Sequence, residues 1–194
     1  MTRRRDETRR RLLDGAFTVF AAKGFGHTRI EDICKASDYT KGAFYSNFAS
    51  LEELFFALYR EQSRLGVEHT LRVLATPVDD VRDVIELWAD GLPIDRDWWL
   101  INSDFVLHAA RHPDVASDLA AERSAMRDTM TRHLATFIAA QPQSTLPPTL
   151  STPHELARAL VTLFDGTLAQ LLLDMDEPTV RRHFSAVATA LLRP

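Results

Sequence analysis

A single cysteine, Cys34, stands among 194 residues, so no disulfide can close within the chain and no thiolate cage can hold a metal. That scarcity suits a reducing compartment, and the cytoplasm is the expected setting. Long apolar runs are missing too. None approaches the ~18 to 20 uninterrupted apolar residues of a membrane span. After Arg3-Arg4-Arg5 the apolar residues are broken by Asp6, Glu7, Arg9, Arg10, Arg11 and Asp14, so a signal peptide is not expected. There is no nucleophile elbow and no glycine-rich phosphate loop. His108 and His112 share a helical spacing, but Pro113 follows at once and no third ligand stands out, so the pair marks a helix end rather than a metal site. The expectation is a non-enzyme with no catalytic residue, no metal and no cofactor.

Overall basicity is also absent. The net charge is −4 and the pI about 6.0, which alone gives no reason to expect nucleic acid. The charge is unevenly spread, however. Residues 1–50 carry ten Lys/Arg against six Asp/Glu, and residues 51–194 carry thirteen against twenty-one. One end is suited to an anion, or else bears a solvated basic tail. With 45% hydrophobic residues the chain has the means to bury a substantial core, and no strand-like alternation is present.

Leu12, Leu13, Ala16, Phe17 and Phe20 recur at helical spacing, predicting a first helix from about Thr8 to Lys23, ended by Gly24. Thr28 and Glu31 have the spacing of a capping box ahead of a short helix ending near Ser37. Thr40 is placed to cap a third helix with Ala43, Phe44 and Phe48 inward and Lys41, Tyr45 and Asn47 outward. Ser50 and Glu53 open a long helix running towards Ala75. Further helices are expected at 78–92, 97–112, 114–140, 154–175 and 178–192, punctuated by Pro93, Pro113, Pro142, Pro153 and Pro178. The stretch between Pro142 and Pro153, with four prolines, reads as an extended loop.

From Thr28 to Phe48 the chain reads TRIEDICKASDYTKGAFYSNF: two short helices about three residues apart behind a longer one, the organisation of a helix-turn-helix. Thr40, Lys41, Tyr45 and Asn47 carry donors suited to phosphates and base edges. Gly42 costs helix stability, and either admits a groove wall close to the backbone or packs against a neighbouring helix.

LLDGAFTVFAAKGFGHT over Leu12–Thr28 and KGAFYSNF over Lys41–Phe48 resemble the amino-terminal domain of the TetR family of bacterial regulators. The resemblance is specific over residues 8–55 and extends in architecture to the whole chain. It implies an all-α fold, with a three-helix helix-turn-helix domain over residues 1–50 joined by a long helix to a helical ligand-sensing and dimerisation domain over 51–194. It implies a bacterial, cytoplasmic repressor that binds a palindromic double-stranded DNA operator as a homodimer and is released by an unidentified small-molecule effector. Carried over position by position, Thr28 and Tyr45 would meet phosphates, Thr40 and Lys41 phosphates or base edges, and Gly42 a base or its methyl group. Three positions depart from the family pattern. Asp38 stands where a turn glycine is usual, Leu51 where a phosphate-binding lysine is common, and Ser46-Asn47 where histidine is frequent. The clusters Arg3–Arg5 and Arg9–Arg11 are read either as compensating contacts along the backbone or minor groove, or as a disordered solubilising tail.

In the larger domain, Arg158–Met175 and Val180–Leu192 are apolar on nearly all sides. Residues 154–192 therefore suit a homodimer interface of four helices, or a buried hairpin in a monomer. Trp88, Trp98, Trp99, Asn102, Phe105, His108, Met126, Met130 and Phe164 are candidates for a ligand pocket, with Asn102, Asp104 or Asp165 orienting the ligand; the same stripe also reads as ordinary core. The acid excess of this half suits a cationic ligand, or a solvated surface.

Overall fold

The computed structural model describes residues 2–77, 81–140, 147–173 and 175–191. Among these the regular structure is helical, without a strand: α1 (Thr2–Lys23), α2 (Ile30–Ser37), α3 (Lys41–Tyr45), α4 (Leu51–Leu74), α5 (Val81–Gly91), α6 (Arg96–Ala109), α7 (Pro113–Ala139), α8 (Pro153–Leu171) and α9 (Glu177–Leu191). Short 3₁₀ turns occupy Phe25–His27 and Pro148–Leu150. None of the described helices is long and apolar enough to cross a membrane.

The helix starts follow local chemistry. The Thr40 hydroxyl accepts the Ala43 N–H (3.2 Å) and opens α3 as expected. Ser50 accepts the Glu53 N–H (3.2 Å), while the Glu53 carboxylate takes the amide of Ala49, one residue before the box proper. At α2 the expectation fails. Arg29, not Thr28, is the capping residue, and Asp32, not Glu31, accepts its N–H (3.0 Å). Thr28 instead donates its hydroxyl to the Gly24 carbonyl (2.7 Å). α1 also begins at Thr2 rather than near Thr8, so the arginine run is helix and not a tail. Part of the proline-rich loop, residues 141–146, and the expected helix start at 78–80 lie outside the described residues.

Packing divides the chain into two compact units, residues 1–62 with 97–122 and residues 63–96 with 123–194. The expected boundary at residue 50 therefore falls inside the first unit. One longer helix and two short ones enclose too little apolar surface for a core of their own. Here they are completed by Leu54, Phe55 and Leu58 of α4 and by Ile101 and Phe105 of α6, packed with Leu12, Ala16, Phe20, Ile33, Phe44 and Phe48. The Phe55 and Phe105 rings stack 3.5 Å apart between centroids.

In the second unit α9 packs on α5 and α8, with Trp88, Met130, Leu134, Leu160, Phe184 and Ala188 in the core. Arg181 of α9 donates to the carbonyls of Ala89 (2.7 Å), Asp90 (2.7 Å) and Leu92 (3.0 Å). The open carbonyl end of α5 is thereby closed by a guanidinium. The His69 ring occupies the space a side chain at Gly91 would need, and one of its nitrogens bonds the Trp88 carbonyl (2.8 Å).

Candidate nucleic-acid interface

The turn between α2 and α3 rests on Asp38, the one non-glycine residue with positive φ among those described (φ 58°, ψ 43°). Asp tolerates this left-handed conformation better than most residues. It ends α2 as an αL cap: the Asp38 N–H donates to the Lys35 carbonyl (3.4 Å) and the Tyr39 N–H to the Cys34 carbonyl (2.9 Å). The departure from glycine thus leaves the turn intact and puts an exposed carboxylate beside α3.

With five residues, α3 is too short to be stable alone. Phe44 (0% exposed) and Phe48 (1%) anchor it in the core, and each fully buried phenylalanine contributes about 1.5–3 kcal/mol. The opposite face presents Thr40, Lys41, Gly42 and Tyr45 to solvent, Tyr45 being 58% exposed. A Cβ at Gly42 would meet only the Thr40 hydroxyl oxygen, 3.7 Å away. Gly42 is therefore not required for packing against a neighbouring helix, and the backbone there is open to a surface approaching from outside.

The charge on this face is partly committed. Lys41 is ion-paired with Glu31 of α2, both side chains being more than half exposed. The Lys41 hydrogen bond holds the Glu31 carboxyl below its usual range, and Glu31 raises the Lys41 ammonium in return. Lys23 likewise bonds Asp32 (2.6 Å) and, with the Arg29 N–H, lowers that carboxyl. Both pairs are solvent-exposed, so each is weak and open to exchange with a competing anion.

Two expected contact residues are placed otherwise. Thr28 is buried, with its hydroxyl already donating to Gly24, and so offers no side-chain donor to a phosphate. Asn47 turns back on its own helix: Nδ2 donates to the Ala43 carbonyl (2.8 Å), and Oδ1 is enclosed without a hydrogen-bond partner. Thr40, Lys41, Gly42 and Tyr45 do lie together.

The candidate ligand residues are divided between the two units. Trp98, Trp99, Asn102, Phe105 and His108 belong to α6 in the first unit, whereas Trp88, Met126, Met130 and Phe164 belong to the second. Phe105 is fully enclosed against Phe55 and Phe25. His108 stacks on His112 (4.2 Å) and faces Glu52 (3.6 Å). Trp98 packs near Phe55 (5.9 Å). These three are core and helix-end residues of the first unit, because α6 completes a core that the short helices leave open. Asn102 is buried with Oδ1 unpaired. Asp104 accepts the Phe25 N–H. In the second unit, Trp88 donates to the Thr70 hydroxyl (3.0 Å), and Trp88 and Phe164 both meet Phe184 edge-on. Met126 and Met130 flank that cluster. Asp165 pairs with Arg123; burial pushes its carboxyl up, and Arg123 opposes that.

Residues 12–58 match the family model for bacterial regulatory proteins of the tetR family. Over 83 residues the chain is 29% identical to the HTH-type transcriptional regulator AcrR of Shigella flexneri, a match spanning 41% of this chain and 39% of that one. The match thus covers well under half of the curated relative's length. Solved structures extend the likeness in fold to nearly the whole chain. A TetR-family transcriptional regulator from Rhodococcus sp. superposes with a TM-score of 0.78 at 17% identity, over 97% of this chain and 100% of that one. A transcriptional regulator from Saccharomonospora viridis, solved in complex with choline, gives 0.71 at 20% identity, over 95% and 96%.

Proposed function

We propose that the chain, whose residues 12–58 match the model for bacterial regulatory proteins of the tetR family, is a DNA-binding repressor whose α3 enters the major groove of a palindromic operator. The observation that carries the reading is the two-faced α3: Phe44, with Phe48 just beyond the helix, enclosed, and Thr40, Lys41, Gly42 and Tyr45 presented together with only the Thr40 hydroxyl near Gly42. Thr40 spends its oxygen on the helix cap but keeps its hydroxyl hydrogen. Tyr45 and Lys41 add donors for phosphate, Lys41 by exchanging Glu31 for DNA. Thr28 and Asn47 drop out of the contact set.

The repressor acts as a homodimer through α8 and α9. Exposed Thr162, Gly166 and Ala169 form one row on α8, and Ala186 and Ala190 lie exposed on α9. Small residues of this kind let a second copy approach closely, and a two-fold axis would set two α3 helices about 34 Å apart on one face of the duplex. A small-molecule effector held near Trp88, Met126, Met130 and Phe164 favours a second conformation and releases the operator. The acid excess of residues 51–194 suits a small organic cation, and the choline found with a protein of the same fold makes choline a sensible first compound to try. Within the first unit, Asp104, Phe105 and His108 of α6 all touch Phe25 in the link from α1 to α2, which gives movement of α6 a physical route to α2.

Mobility shift on the DNA flanking its gene, with a salt series, tests this reading. A specific complex should form and weaken steeply with salt. Lys41→Ala should lower the slope of log affinity against log salt by about one unit and Tyr45→Ala should weaken binding several-fold, both with the dimer intact. Unchanged affinity in both variants would overturn the assignment of α3.

A further inference from the structure

We propose that the amino-terminal turns of α1 are a cradle that holds both ends of α3, with Arg9 as its principal positioning residue, rather than an arm that reaches into DNA. The proposal rests on the reading of α3 as the recognition helix. At the exit of α3, Arg9 donates to the Asn47 carbonyl (3.1 Å) and lays its guanidinium 4.3 Å from the centre of the Phe48 ring. Arg5, one turn earlier, reaches the Ser46 carbonyl (3.5 Å). At the entrance, Thr8 contacts the Tyr39 hydroxyl (3.4 Å) and Arg11 lies 5.7 Å from the centre of the Tyr39 ring. Tyr39 immediately precedes the Thr40 cap.

Each contact answers a deficiency of so short a helix. The last carbonyls of any α-helix lack backbone partners, and in α3 those of Gly42, Ala43 and Phe44 are met locally by Ser46, Asn47 and Phe48. The Ser46 and Asn47 carbonyls that follow are met from α1. Positive charge at a helix carboxyl end is also favourable, and α3 has no basic residue in its own last turn. The arginines thus supply from α1 what α3 does not supply for itself. Arg9 is only partly exposed, its guanidinium lying between a carbonyl and an aromatic face. A planar fork serves such a site better than the point charge of lysine.

The full-length protein tests this with two readouts: amide hydrogen exchange over residues 39–48, and salt-dependent binding to a duplex that the wild type recovers from a random-sequence library. Arg9→Ala should speed exchange at residues 46–48 and weaken binding roughly tenfold, the scale of one charged hydrogen bond, while leaving the salt slope at its wild-type value. Arg9→Lys should recover less than half of the loss. Lys41→Ala, by contrast, should lower the slope by about one. A slope that falls equally in Arg9→Ala would make Arg9 a phosphate ligand and overturn the proposal; so would unchanged exchange at 46–48. Should Arg9→Ala not fold, Tyr39→Phe removes the hydroxyl that meets Thr8 with little change in packing, and unchanged exchange at 40–43 would then count against the cradle. If the wild type recovers no duplex at all, the DNA reading fails, and the exchange data decide the cradle alone.

Discussion

A methyl group added at Gly91 would fall 2.1 Å from a His69 ring carbon, and that ring is fixed by its bond to the Trp88 carbonyl. Gly91→Ala should therefore cost about 1–3 kcal/mol, as overpacking does, and a thermal melt should show it. Gly42→Ala meets only the Thr40 hydroxyl oxygen, at an ordinary contact distance of 3.7 Å, so the melt should hold or rise by up to ~1 kcal/mol from better helix propensity while operator affinity falls. Loss of stability at Gly42 would mean that the residue is structural after all. Glu31→Gln removes the anion that Lys41 now holds, and should raise DNA affinity and steepen its salt dependence. A fluorescence-anisotropy titration against salt checks both.

At the scale of elements, much of the chain was legible because helices announce their ends. Thr40, Ser50, Pro113 and Pro153 sit at or beside helix starts, and Phe44 and Phe48 point inward as helical spacing requires. What could not be read was the choice among competing local bonds. Thr28 fits a capping box by type and spacing, yet its hydroxyl finds Gly24, whose positive φ of 76° presents that carbonyl, and Asp32 takes the cap. Asn47 has the donors of a contact residue, but a free carbonyl one turn back captures it. The role of α6 was equally hidden, since a Trp/Phe/His stripe looks alike whether it lines a cavity or completes a distant core. Local ion pairs and caps also set the acid response. Glu31, Asp32, Glu155 and Asp176 are all held below their ordinary range, chiefly by side-chain bonds to Lys41, Lys23, Ser151 and Thr179 respectively. Lowered folded values mean that their contribution is complete at neutral pH and fades as pH falls below about 4 towards those values. Asp165, raised by burial, runs the other way and softens the loss. Helicity followed by circular dichroism should be flat from neutral pH to about 5 and decline below 4; a decline already under way near 6 would assign the response to histidines instead.

For the whole molecule, the division of charge matches the proposed division of labour, with the basic excess confined to the first fifty residues and the acidic excess after them. On the proposed reading, an acidic body would discourage indiscriminate adherence to DNA and leave the contact to the α3 face. Dimerisation is tested at Gly166, where nothing lies within 4 Å of an added Cβ. Gly166→Trp should leave the protomer folded and shift the mass measured by light scattering from dimer to monomer, whereas an unchanged mass would move the interface elsewhere. The helical start of the chain has a practical corollary for handling the protein. Since α1 begins at Thr2 and its first turns touch both flanks of α3, a purification tag fused directly ahead of α1 would sit beside the surface proposed to read DNA. Material tagged at that end would understate affinity unless the tag is cleaved, and a tag at the opposite terminus is the better handle for any screen of operators or effectors.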